Sequence, residues 1–112
     1  MRRPLVSEYM FSLVLIMVKN ITEAKLISEK LVSEKLAACV SMVPNITSIY
    51  RWRGKIEKAS EIMLLAKTSA KKLNRLILRI KELHSYEVPE ILVFRINRGV
   101  SEYLKWVEKS LV

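Results

Sequence analysis

One cysteine, Cys39, and one histidine, His84, are all that this 112-residue chain holds of the two residue types most used in metal and nucleophilic sites. A single thiol excludes an internal disulfide and any all-cysteine zinc site within one chain, so a reducing cytoplasm is the expected setting. Two glycines and three prolines exclude a glycine-rich phosphate loop, a collagen repeat and a long flexible linker. No serine sits in a nucleophile elbow, and hydrolase or kinase chemistry finds no support; no enzyme is expected. The strongest apolar run, residues 10–18, is broken by Ser12 and reaches about half of the ~20 residues that a membrane-spanning helix needs. Arg2 and Arg3 precede that run, but no small-residue cleavage site follows, so neither a secretory signal nor a membrane span is expected. Asn20-Ile21-Thr22 and Asn45-Ile46-Thr47 would matter only in a secreted chain and are read as chance matches.

What is present points to one folded domain. Hydrophobic residues make up 51% of the chain, enough to bury a core. The formal charge of +9, from 20 Lys and Arg against 11 Asp and Glu, is scattered singly or in pairs such as Lys71-Lys72, as on a solvated surface. Tyr50 and Trp52 could stack bases, but residues 55–67 lack the interleaved aromatics of an RNA-recognition strand, and no nucleic-acid partner is expected.

Residues 1–9 lack periodicity and read as a flexible leader, with residues 10–112 forming one domain. Residues 10–18 suit a strand buried on both faces. Thr22 and Glu23 open a helix running to about Leu36, with Ala24, Ile27, Leu31 and Lys35 on its packed stripe beside Val32 and Leu36. A second strand follows, bent at Pro44-Asn45, and leads into a hairpin turning near Gly54, whose returning arm extends to Lys67. Ser69 caps a second helix with Leu73, Leu76, Ile77, Ile80 and Leu83 as a clean stripe. Pro89 separates it from a strand at 90–96, and Ser101 caps a last helix packed through Tyr103, Trp106, Val107 and Leu111.

The order β-α-β-β-α-β-α, with two right-handed crossovers joined by a hairpin, predicts an α+β ferredoxin-like sandwich with helices on one sheet face. The other face, with a projecting aromatic hairpin, would expose apolar surface, so self-association is expected. Cys39 and His84 could together suit copper or zinc, although Cys39 also reads as a small buried hydrophobe and His84 as a helix-end residue. Lys55, Glu57, Glu61 and Lys67 are odd positions of one strand and could line a polar pocket, or pair as surface ions.

Four ordered motifs carry a further signal: Leu36-Ala37-Ala38-Cys39-Val40; Ser48-Ile49-Tyr50-Arg51-Trp52-Arg53-Gly54-Lys55-Ile56-Glu57; residues 61–68; and Leu83-His84-Ser85-Tyr86-Glu87-Val88-Pro89-Glu90-Ile91. Together, over residues 13–111, they resemble the CutA family of divalent-cation tolerance proteins. The resemblance implies a PII-like homotrimer whose long hairpins interlock with neighbouring sheets, a role in the response to metal ions, copper or another divalent cation as ligand, and no catalytic residues. It places Trp52, Lys55, Glu57, Glu61, Lys67, Tyr86 and Pro89 near an intersubunit cleft, where a small ligand or protein partner is the alternative to metal. His84 and Cys39 fall on family histidine and cysteine positions. The first strand offers Ile16 and Met17 where copper-binding members have a cysteine, Ser85 stands where proline is common, and Val18-Lys19-Asn20 replaces the usual small-residue and proline turn.

Overall fold

The computed structural model describes residues 10–112; the leader expected at 1–9 lies outside the described residues. β1 (Phe11–Val18) forms the third strand of a four-stranded sheet ordered β2-β3-β1-β4, all neighbours antiparallel. Its even positions Val14, Ile16 and Val18 are fully buried under the first two helices.

α1 (Ile21–Ser33) is capped by Asn20, whose Oδ1 accepts the Glu23 N–H at 2.9 Å; Thr22, expected as the cap, lies inside the helix. The helix also stops three residues short of Leu36. Lys35 takes φ 59°, the Lys35 N–H donates to Val32 O, and the Leu36 N–H reaches back to Leu31 O, the 6→1 and 5→2 pattern of a Schellman stop. Ala24, Ile27 and Leu31 hold the buried stripe as expected, whereas Val32 is exposed and Lys35 has left the helix.

β2 (Cys39–Trp52) and β3 (Lys55–Ser69) are the long arms of the hairpin. Pairing jumps from Val43↔Met63 to Ile46↔Glu61, so Pro44 and Asn45 form the expected bulge, with Asn45 at φ 61°. Arg53 (φ 51°) and Gly54 (φ 79°) make the two-residue turn, in which the first left-handed position is held by an arginine.

α2 (Ala70–Leu83) begins at Ser69, whose Oγ accepts the Lys72 N–H, and buries Leu76 and Ile80 against the sheet with Leu73, Ile77 and Leu83 beside them. β4 (Ile91–Ile96) pairs with β1. α3 (Ser101–Ser110) departs from expectation in two ways. Ser101 is its first helical residue, Val100 holds the cap position, and no side chain makes a cap bond. Its buried contacts are Leu104, Val107 and Leu111, while Tyr103 and Trp106 are exposed. Gly99 permits this docking, because a Cβ there would lie 3.1 Å from Leu104 Cδ1.

The helices do not share one face. α3 packs with Phe11 and Ala38 in a second, smaller core, and Phe11 belongs to the odd face of β1, opposite α1 and α2. α3 covers only one end of that face; farther along, Leu92 and Phe94 remain 47% and 49% exposed. Among the described residues no helix is long and apolar enough to cross a membrane.

Candidate functional site

β3 runs without a bulge, so Lys55, Glu57, Glu61, Met63, Leu65 and Lys67 all lie on the odd face of the sheet, as their spacing predicts. Trp52 sits opposite Lys55 and Tyr50 opposite Glu57, which puts both hairpin aromatics on the same face. From Lys55 to Lys67 the strand covers about 40 Å. The candidate residues therefore fall into three separate groups along one chain.

At the hairpin tip Trp52 is 58% exposed, and the Arg53 guanidinium lies 5.5 Å from its ring centroid. At the far end Lys67 Nζ donates to Ser41 Oγ at 2.6 Å, and Cys39, opposite Lys67 in the ladder, has its Sγ 3.7 Å from the Tyr103 hydroxyl. Burial first, then the contact with Cys39, raises the Tyr103 phenol above its ordinary value.

The middle group gathers where β1 ends. His84 closes α2 through its N–H to Ile80 O, and its ring is buried. Nε2 lies 2.8 Å from Met17 O; a carbonyl only accepts, so Nε2 carries the proton. Nδ1 then accepts the Tyr86 N–H at 3.1 Å. The Glu23 carboxylate, itself buried, accepts the Ser85 N–H at 3.1 Å and lies 3.3 Å from the same Nδ1. Tyr86 packs against the His84 ring at 4.9 Å. Its phenol is raised above the ordinary value by burial first, then by the charges of Glu61 and Glu23 and by Tyr50. Pro89 lies in the same loop, before β4.

As ligands of one ion within one chain, His84 and Cys39 do not fit. His84 is tied to Met17 and Cys39 stands level with Leu13, about 13 Å away along β1. Both ring nitrogens of His84 already have backbone partners. Among the described residues no group of three or more His, Cys, Asp or Glu side chains could hold a metal ion.

Three residues at the site escaped the sequence reading. Glu23 carried a visible signal, since Asn20-x-x-Glu23 is a capping-box spacing, but its partner Ser85 is 62 residues away. Ser41 and Tyr103 carried none, because their contacts depend on strand register and on the docking of α3.

Helices α1 and α2 on one face of a β2-β3-β1-β4 antiparallel sheet define a ferredoxin-like α+β protein. The chain belongs to the CutA divalent-ion tolerance family: the family model for "CutA1 divalent ion tolerance protein" matches residues 12–110. It is 45% identical over 101 residues to the divalent-cation tolerance protein CutA of Thermus thermophilus, covering 90% of this chain and 98% of that one. A CutA homolog of Xenopus laevis is 47% identical over 88 residues, and there the chain spans 58% of the relative's length. Among solved structures, CutA of Synechococcus elongatus matches with a TM-score of 0.91 at 33% identity over 96% of each chain.

Proposed function

We propose that the chain acts as a homotrimer in the response to divalent metal ions, copper or another divalent cation, without catalysing a reaction. Its working surface is the cleft formed where the hairpin of one copy crosses the odd sheet face of the next. One observation carries this reading. Trp52, Lys55, Glu57, Glu61, Lys67 and Tyr86 border an apolar face in three groups spread along about 40 Å of it, too far apart for the groups to meet within one chain, so a cleft that brings the groups together needs a second copy. The shape agrees: the radius of gyration, 15.3 Å, exceeds the about 13 Å of a compact domain this long, and the extents of 53 × 27 × 22 Å are elongated along one axis. The partner proposed is thus this chain itself, rather than nucleic acid or a membrane.

A metal ion at this protein is proposed to engage residues of more than one copy, since His84 and Cys39 stand apart within one. The engagement of both His84 nitrogens favours a second reading, a PII-like sensor or scaffold that takes a small ligand or protein partner in the same cleft without metal. One relative, CutA of Synechococcus elongatus, is described as complexed with a Bis-Tris molecule. The single cysteine supports a cytoplasmic setting for this chain; relatives carry the descriptions chloroplastic, in Arabidopsis thaliana, and periplasmic, in Archaeoglobus fulgidus.

Lys67→Ala tests the cleft, with copper(II) and Bis-Tris as probes. Loss of probe binding with the trimer intact supports a ligand cleft; loss of the trimer itself makes Lys67 a structural contact and sinks the ligand role.

A further inference from the structure

The loop at 84–90 has no regular hydrogen-bond ladder, yet it must present Tyr86 and Pro89 in a fixed place if the cleft is to recognise anything. Four of its contacts with its surroundings are plain. The His84 N–H is tied to α2, the His84 ring to Met17 O, Glu90 O to the Met17 N–H, and the Ser85 N–H to Glu23. Two of these continue the elements that flank the loop, and the His84 ring anchors its first residue to β1. The fourth reaches into the loop itself from the first turn of α1, through the Glu23 side chain.

We propose that Glu23 is the positioning residue of the candidate site: its buried carboxylate grips the loop at Ser85 and so sets where Tyr86 leaves the fold. The inference rests on the cleft reading above, because it gives Tyr86 a place to act. The geometry supports it in three ways. Glu23 occupies the third position after the Asn20 cap, and its own N–H is held by Asn20 Oδ1, so its backbone is fixed before its side chain extends. The carboxylate is 8% exposed, and a buried carboxylate demands donors; the Ser85 N–H is one it has found. The next residue, Tyr86, turns its own N–H onto His84 Nδ1, the nitrogen 3.3 Å from the same Glu23 oxygen. Ser85 and Tyr86 are therefore fixed as a pair around one oxygen and one nitrogen. The donor at 85 is also particular to a residue other than proline, which has no N–H to give. In this chain the loop is held by a hydrogen bond where a proline ring would hold it by restricting rotation.

The test uses the full chain and needs no ligand, which separates it from the fate of the cleft reading. Amide hydrogen exchange by NMR is compared in the wild type, Glu23→Ala and Glu23→Gln. The proposal expects Ser85 and Tyr86 to exchange at least about 10-fold faster in Glu23→Ala, with Ile16 and Leu64 in the core unchanged. Glu23→Gln, whose amide oxygen can still accept, restores slow exchange at both and keeps the nuclear Overhauser contact between the His84 and Tyr86 rings. A Ser85 amide that is unprotected in the wild type, or equally slow in Glu23→Ala, overturns the proposal. Should Glu23→Ala fail to fold, Glu23→Asp keeps the charge but draws the acceptor back by one methylene from the Ser85 N–H; faster exchange at Ser85 and Tyr86 in Glu23→Asp with slow exchange kept in Glu23→Gln supports the proposal, and equal exchange in the two variants overturns it.

Discussion

His84 and Met17 are joined by a buried hydrogen bond of 2.8 Å, Nε2–H to carbonyl oxygen, that ties the end of α2 to the end of β1. The bond makes the lone histidine part of the fold before it is part of any metal site. With Nδ1 occupied by the Tyr86 N–H, the ring has a backbone partner at each nitrogen.

His84→Ala therefore lowers stability, whatever happens to metal. It leaves the buried Met17 carbonyl without its partner and releases the part-buried Tyr86 N–H, at a cost of about 1–3 kcal/mol. Urea unfolding of the metal-free protein measures this; a change below about 0.5 kcal/mol contradicts a structural role, since that is the scale of neutral surface substitutions.

Tyr86 titrates above the ordinary phenol range. The folded state holds the Tyr86 proton more tightly than the unfolded chain does, because burial and the charges of Glu61 and Glu23 disfavour phenolate. Its contribution to stability is complete below the unfolded phenol value and is lost as pH rises through the folded one. Ultraviolet titration of wild type against Tyr86→Phe isolates this phenol, and Glu61→Gln moves it back toward the ordinary value. An unmoved phenol in Glu61→Gln places Glu61 away from the loop.

Arg79 grips Glu34 with two nitrogens, each at 2.9 Å, and also meets Glu82 at 3.1 Å. The side-chain hydrogen bond from Arg79 holds the Glu34 carboxyl below its ordinary value. That stability is present above the unfolded carboxyl value and disappears as pH falls through the folded one. In Glu34→Gln the fall of melting temperature on acidification is shallower than in wild type, and the difference shrinks in high salt because the pair is exposed. Parallel acid profiles contradict the pairing.

Leu104 and Ser101 separate packing from capping in α3. Leu104 is buried in the second core, so Leu104→Ala costs about 2–4 kcal/mol. Ser101 makes no cap bond, and Ser101→Ala stays within about 0.5 kcal/mol, short of the ~1 kcal/mol of a lost cap. Denaturant midpoints decide both; a full capping loss at Ser101 contradicts the observed helix start.

Much of this architecture is local and so could be read from the chain. The bulge at Pro44-Asn45, the turn at Gly54, the cap at Ser69 and the stripe through Leu76 and Ile80 each follow from residues close in sequence. The departures arise where distant parts decide. Lys35 adopts a left-handed conformation that glycine would have announced, and its Nζ meets Val112 O at the other end of the chain. The face chosen by α3 depends on Phe11 and Ala38, although Leu104, Val107 and Leu111 already show helical spacing. At the candidate site, odd positions on β3 gave the shared face, whereas the grip of Glu23 on Ser85 spans 62 residues and leaves no periodic trace.

Assembly into a cleft between copies is the claim on which the functional account stands. Native mass spectrometry of the metal-stripped protein, titrated with copper(II), tests it most directly by reporting subunit number and bound ions together. The expected result is a trimer that takes up copper in whole steps per trimer. A monomer that persists at micromolar concentration would contradict it, since the candidate residues would then have no partner face on which to converge.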